Sequence, residues 1–278
     1  MNKILLYCGI TTLLLVSGYI LYPASAKGSV PVKLQIPAAE AGLRPGEEIT
    51  YLVRYGFIKL GEIRLKVINQ KTEKGEILYN TIGYIDSYPG LPFVDLHQIY
   101  ESKINKNYFS NFFRGTVKKE EYTTFTEYYF DYPNKSLKVK KGKVHPYELW
   151  TDSTGVAETE YHDGLSIFYW ARMNLGQKKT VKVPCFVNEE KVFTLVNYYS
   201  KPEKMEIDAV DYEIPVWRLD GHTDFVSVFG LTGHFEGWFS QDEACIPIVA
   251  KLNVIIGKVT VELIKWKRPG WNPPKAES

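Results

Sequence analysis

His162, Asp163 and Ser166 place the three residue types of a hydrolase triad on one short segment. Such a triad needs a serine hydroxyl held by a histidine whose other nitrogen is held by a carboxylate. Close neighbours in sequence do not readily form that chain, and no Gly-x-Ser-x-Gly elbow surrounds Ser166. The three read instead as a helix start capped by Asp163. His222, Asp224, His234 and Glu236 are metal-ligand types that alternate along two expected strands. With Gly230 to Gly233 as the turn, Phe229 faces His234 and Asp224 faces Phe239, which parts the two pairs by roughly 15 Å at ~3.3 Å per residue. No metal and no other cofactor is expected. The carboxylate pairs Glu47-Glu48, Glu120-Glu121 and Glu189-Glu190 sit at strand starts or turns, where solvated charge is usual, and no catalytic residue is assigned.

The cysteines bear on compartment. Cys8 lies within an apolar run from Ile4 to Leu21 that follows Lys3 and precedes Ala24-Ser25-Ala26, the pattern of a secretory signal cleaved after Ala26. The alternative is an uncleaved helix anchored in the inner membrane, since the run approaches the ~20 residues that span a bilayer. The remaining thiols, Cys185 and Cys245, are either one disulfide in an oxidising compartment or two small core residues.

The elements that must position these groups are strands. Of 278 residues 45% are apolar and 14% aromatic, including 20 Tyr, types that suit half-buried pleated surfaces. With 34 basic against 32 acidic side chains, a net charge of +2 and no basic block, nucleic acid is not an expected partner. Residues 27–45 read as an extended leader with three prolines, 46–266 as a single β-rich domain and 267–278 as a loose tail. Ile49, Tyr51, Val53, Tyr55 and Phe57 alternate, and Ile63, Leu65 and Val67 continue the parity, which sets Phe57 opposite Ile63 across a loop Lys59-Leu60-Gly61 with a positive φ at Gly61. Similar grammar predicts strands from Ile77 to Ile85, through 107–131, and after residue 178, including Met205 to Ala209 and Phe225 to Phe229. One helix is expected at about 163–175, with Leu165, Phe168 and Tyr169 on one side. The fold class is therefore mainly β, a strongly curved antiparallel sheet or open β-barrel with one packed helix.

From Gly46 to Leu263 the chain resembles the bacterial exported domain-of-unknown-function family numbered three thousand one hundred and eight. The residues that carry the resemblance are Pro45-Gly46-Glu47, Gly56 with Gly61-Glu62, Asp163-Gly164-Leu165-Ser166 with Arg172, and Gly237-Trp238-Phe239-Ser240 with Asp242 and Pro247. Cys245-Ile246 departs from the family, which is expected to carry a basic residue before that proline. The resemblance implies a cell-envelope protein of a Gram-negative bacterium with an open β-barrel similar to lipoprotein carriers, and no established catalytic residue.

Export, aromatic strand faces and the missing catalytic constellations point to a non-enzymatic periplasmic protein that holds an apolar or amphipathic envelope molecule, a lipid or lipoprotein-like ligand, between sheet and helix. The alternatives are an envelope-polymer hydrolase with a site assembled from distant strands, and a structural partner of an outer-membrane complex. Arg172, Tyr169, Trp170, Tyr55 and Phe57 are the candidate ligand contacts. A guanidinium among buried neighbours must be paired, so Arg172 is expected either in an ion pair with Glu47 or Asp242, or facing an anionic head group.

Overall fold

The computed structural model describes residues 42–73, 75–91, 95–226, 231–254 and 257–277. The signal segment, Cys8 and the leader up to residue 41 lie outside them. The first eight strands are β1 (Glu48–Tyr55), β2 (Ile58–Glu73), β3 (Glu76–Ser87), β4 (His97–Asn105), β5 (Ser110–Lys118), β6 (Thr123–Asp131), β7 (Ser136–Lys143) and β8 (Glu148–Val156). Helix α1 (Ser166–Ala171) follows, continued by one 3-10 turn, Arg172–Asn174. The rest are β9 (Lys179–Val187), β10 (Glu190–Tyr198), β11 (Glu203–Met205), β12 (Ile214–Thr223), β13 (Leu231–Ser240), β14 (Pro247–Val254) and β15 (Gly257–Lys267). They form one antiparallel sheet in the order β8-β7-β6-β5-β4-β3-β2-β1-β15-β14-β13-β12-β10-β9, with β11 beside β12.

The sheet stays open, yet it curls until its ends approach. Phe186 on β9 packs edge-on against Tyr128 and Phe130 of β6, with ring centroids 4.8 and 5.9 Å apart, although β6 and β9 stand near opposite ends of the strand order. Backbone bridges the gap at Tyr161-His162: the Tyr161 carbonyl accepts from Ser110 N, His162 N donates to Pro184 O, and Phe186 N donates to His162 O. Side chains on the concave faces of the strands thus share one core with α1.

The helix is shorter than expected. Segment 163–165 is a capped turn, and the last turn tightens to 3-10 geometry before Gly176, whose φ of +74° ends the run. Both ends of the domain are more firmly seated than composition suggested. Leu43 is in the core, and past β15 Trp271 Nε1 donates to Asp242 while Ala276 N donates to Glu213 O. The tail has no regular structure but is strapped to the sheet.

Three local expectations are corrected. The β1–β2 connection is the two-residue turn Gly56-Phe57, with the positive φ at Gly56, and a bulge between Val53 and Arg54 shifts the pairing so that Tyr51 faces Ile63 and Ile49 faces Leu65. Phe57 therefore sits at the tip, 95% exposed. In the segment Met205–Ala209 pairing ends at Met205; of Phe225–Phe229 the described residues 225 and 226 lie beyond the end of β12, and the others fall outside the described residues. Strand β8, exposed along nearly its whole length, shows no alternation of burial, so no periodic signal marked it.

Gly61 has another reason to be glycine. A Cβ there would overlap the Asp86 carbonyl oxygen across the β2–β3 ladder. Gly61→Ala should lower stability by about 1–3 kcal/mol, whereas Gly155→Ala, which meets nothing within 4 Å, should be near neutral. Urea midpoints of the two variants test this, and equal midpoints would refute the steric account.

Candidate functional site

Asp163 seats the helix. Its Oδ1 accepts from Leu165 N and Ser166 N, both at 2.7 Å, and its Oδ2 accepts from Ser102 Oγ at 2.5 Å on β4. Burial raises its pKa above the ordinary carboxylate value, while these donors pull it down. Ser166 is fully buried and accepts from Asp163 N, and His162 Nδ1 lies 3.5 Å from its hydroxyl. No bond joins Asp163 to His162, so the three form a cap and not a nucleophile with its base. His162 lies between the rings of Phe109 and Trp170 at 4.6 and 5.2 Å, and burial holds its pKa down to about 3.

At the other end of the helix Arg172 meets Glu47. Arg172 Nη1 donates to Glu47 Oε1 at 3.0 Å, and Arg268 Nη1 donates to Glu47 Oε2. All three side chains are buried, which makes Glu47 the exception among the carboxylate pairs expected to be solvated. Of the two expectations for Arg172 the ion pair holds, with Glu47 as partner. Asp242 instead accepts from Ser240 Oγ, Ala244 N, Cys245 N and Trp271 Nε1.

Between helix and sheet lies a cavity of about 150 Å³, against roughly 10–15 Å³ needed for one water. The register explains the space. Leu219, Gly237, Ala250 and Val261 are successive cross-strand partners on β12, β13, β14 and β15, and all four line it. Gly237 gives its place to the Phe239 ring, which a Cβ there would meet at 2.9 Å, so Ala250 is the short side chain of the row that leaves room a larger one would fill. Phe225, Phe235 and Leu252, half-buried, stand toward the β12–β13 and β14–β15 turns, and Tyr51 and Phe239, both buried, stand toward the clamp.

None of the five expected ligand contacts is in this wall. The helix contributes Ile167, Phe168 and Ala171. Tyr169 turns toward Arg172, whose guanidinium carbon is 5.0 Å from the ring centre, and Trp170 packs on His162 and Tyr198. Tyr55 is 44% exposed beside Gly257, and Phe57 is at the hairpin tip. The usable signal was Ala250, a small residue in an otherwise bulky strand.

Cys185 and Cys245 are free thiols. Cys185 lies on β9 toward the β12–β13 turn and Cys245 in the β13–β14 turn at the opposite end of the ladder, a separation of roughly nine residues or ~30 Å along the strands. No disulfide spans that distance. Burial pushes the Cys245 thiol up to about 11. The β12–β13 register also differs from expectation, since pairing continues to Gly233 with φ +68° and sets His222 directly opposite His234. Among the described residues no group of three or more His, Cys, Asp or Glu is arranged to hold a metal ion.

Two outcomes follow from this geometry. Glu47→Ala leaves two buried guanidinium groups facing each other and should cost about 3–5 kcal/mol, and Arg172→Ala, which leaves Glu47 with Arg268, should cost less; denaturant midpoints give the order, and a reversed order would refute the clamp. His162 takes no proton in the fold until about pH 3, whereas the unfolded chain protonates it below its ordinary value near 6.5. Its contribution to stability is therefore complete above that value and lost as pH falls toward 3. By pH 5 the loss should reach about 2 kcal/mol, with Asp163, whose pKa is raised, acting in the opposite direction. His162→Phe keeps the ring and removes the titration, so the gap between the two stability curves should narrow on acidification by that amount; parallel curves would count against a neutral buried imidazole.

No curated protein matches the chain. Solved structures similar to it include two of unassigned function. A β-barrel-like protein of the domain of unknown function DUF1849 from Brucella abortus is 14% identical, with a TM-score of 0.48 over 81% of this chain and 99% of that one. A protein from Bacteroides fragilis with a YmcC-like fold, provisionally assigned as exported, is 6% identical, with a TM-score of 0.35 over 81% of this chain and 97% of that one. The chain belongs to the family described as protein of unknown function, DUF3108, whose profile matches residues 50–264.

Proposed function

We propose that this protein binds one apolar or amphipathic envelope molecule in the cavity between α1 and the curved sheet, acts as a carrier and not as a catalyst, and works in the periplasm. The observation that carries this reading is the cavity itself, about 150 Å³ with a wall of aliphatic and aromatic carbon. A concave apolar site with few polar groups is the usual form of a small-molecule pocket. The wall is also built to last. Its row Gly237, Ala250 and Val261 stands on paired strands, so the room beside Ala250 does not depend on a movable loop.

The periplasmic part rests on the signal pattern at Met1 to Ala26. Among the described residues no helix is long and apolar enough to cross a membrane.

Native mass spectrometry of the protein purified from its own host without detergent tests the reading. A co-purifying adduct of lipid mass is expected, and Ala250→Phe, which fills the cavity from β14, should remove it while leaving the fold intact. A bare mass for the wild-type protein, or an adduct that survives Ala250→Phe, would overturn the proposal.

A further inference from the structure

The strand order sorts the connections into two ends. β15 begins beside the end of β1, with Thr260 opposite Arg54. The β1–β2, β3–β4, β5–β6, β7–β8 and β12–β13 connections therefore share one rim of the curled sheet, while β2–β3, β4–β5, β6–β7 and β13–β14 lie at the other. The two rims differ in kind. At the second, the exposed residues of the connections are glycine, lysine, asparagine, proline and glutamate, from Gly75 to Glu243, and none among the described residues is large and apolar. At the first, all five connections expose a large apolar or aromatic side chain: Phe57 at 95%, Leu96, Tyr122, Tyr147 at 67% and Val226. Turns favour Gly, Pro, Asn, Asp and Ser for conformational reasons. Single exposed apolar residues need no explanation, but five at one rim against none at the other do.

This rim continues the cavity. Phe225 lines the cavity and Val226, the next residue, is exposed at the rim, so apolar surface passes from inside to outside between two adjacent residues. The charges around it are of both signs and largely matched. Glu148 meets Lys143, Glu189 meets Lys141, Asp86 and Asp95 flank His97, and Asp224 meets His222. Lys143 Nζ also lies over the rings of Tyr122 and Trp150, at 5.2 and 5.8 Å. Tyr and Trp are the side chains that settle at head-group level in a membrane, and lysine keeps its charge in water while its stem lies on apolar surface.

We propose that this rim docks on the surface of a lipid bilayer, with Phe57, Leu96 and Val226 entering the boundary between head groups and acyl chains and Tyr122, Tyr147 and Trp150 resting at head-group level. A protein partner asks for one continuous, closely packed apolar core. Here the apolar side chains stand on separate hairpins, neighbouring ones roughly 10 Å apart at ~4.8 Å per strand, and a fluid interface takes up such separate tips, its hold growing with the apolar area buried. With charges of both signs, the attraction is apolar and not directed at anionic head groups. The proposal does not require the cavity to be filled.

The test floats the exported chain, purified from a periplasmic extract, with phosphatidylcholine vesicles on a sucrose gradient. Wild-type protein should rise with the vesicles. Raising sodium chloride from about 50 to about 500 mM should change its partition by less than about threefold, because screening acts on charge and not on apolar contact. Phe57→Ser, Leu96→Ser and Val226→Ser in one chain alter side chains exposed at hairpin tips, so the urea midpoint should hold. Vesicle partition should fall at least about tenfold, the least that burying one such side chain supplies. Should the triple variant prove less stable, Phe57→Ser alone, at the most exposed position, repeats the comparison and should still weaken flotation. Wild-type protein that stays below the vesicles, a triple variant that floats as well as wild type, or flotation abolished by salt overturns the proposal. So does a wild-type chain that sediments as a dimer without lipid and becomes a monomer in the triple variant, since the rim is then a contact between two copies. Flotation of protein whose native mass is bare keeps the docking rim and removes only the cavity's ligand.

Discussion

Glu47 is the point on which the rest of the architecture turns. It precedes β1, and its two oxygens reach Arg172 at the end of the helical segment and Arg268 just beyond β15. One carboxylate therefore ties the helical segment to the end of the β1–β15 ladder. Buried ion pairs are weak contributors to net stability, because desolvation offsets much of their attraction. Their effect is on specificity. A helix one turn out of place would leave a buried charge without a partner, so the clamp fixes where α1 lies over the sheet.

The cavity follows from that placement. Asp163 holds the first turn of the helix to Ser102 on β4, and Arg172 holds its last turn to Glu47 beside β1. Suspended between these polar anchors, the middle of the helix crosses strands whose facing residues are Gly237 and Ala250. A helix free to sink toward the sheet would close the gap and gain dispersion contacts. Held at both ends by polar groups that cannot be left unmatched, it does not. The polar network and the apolar space are two aspects of one constraint.

Much of this was readable from residue order. Alternation located most strands, the helical segment stood where apolar spacing put it, and of the two acidic partners expected for Arg172, Glu47 and Asp242, the first is the one it meets. Failures came where one residue changes the parity. The bulge at Val53/Arg54 moved Phe57 from an expected inward position to a hairpin tip, and pairing through Gly233 brought His222 opposite His234. The cavity wall was missed because aromatic surplus was taken as the signal. Some of the rings fill space, as Tyr128 and Phe186 do, while others, Tyr51, Phe168, Phe225, Phe235 and Phe239, line the cavity, and which ring does which only the register discloses.

The pairing of β1 with β15 has a temporal side. Glu48 stands opposite Lys267, so the two strands at the middle of the sheet come from nearly opposite ends of the domain's sequence. Closing so long a loop costs entropy before the ladder returns any of it, and folds dominated by such distant contacts form slowly. Until β15 has been synthesised, β1 is an open edge, Glu47 lacks Arg268, and the meander from β1 to β8 has a hairpin register but no lining on its concave face. β15 is thus the strand that joins the two halves of the sheet, and a chain that has not yet added it would remain extended enough to be threaded, held or degraded.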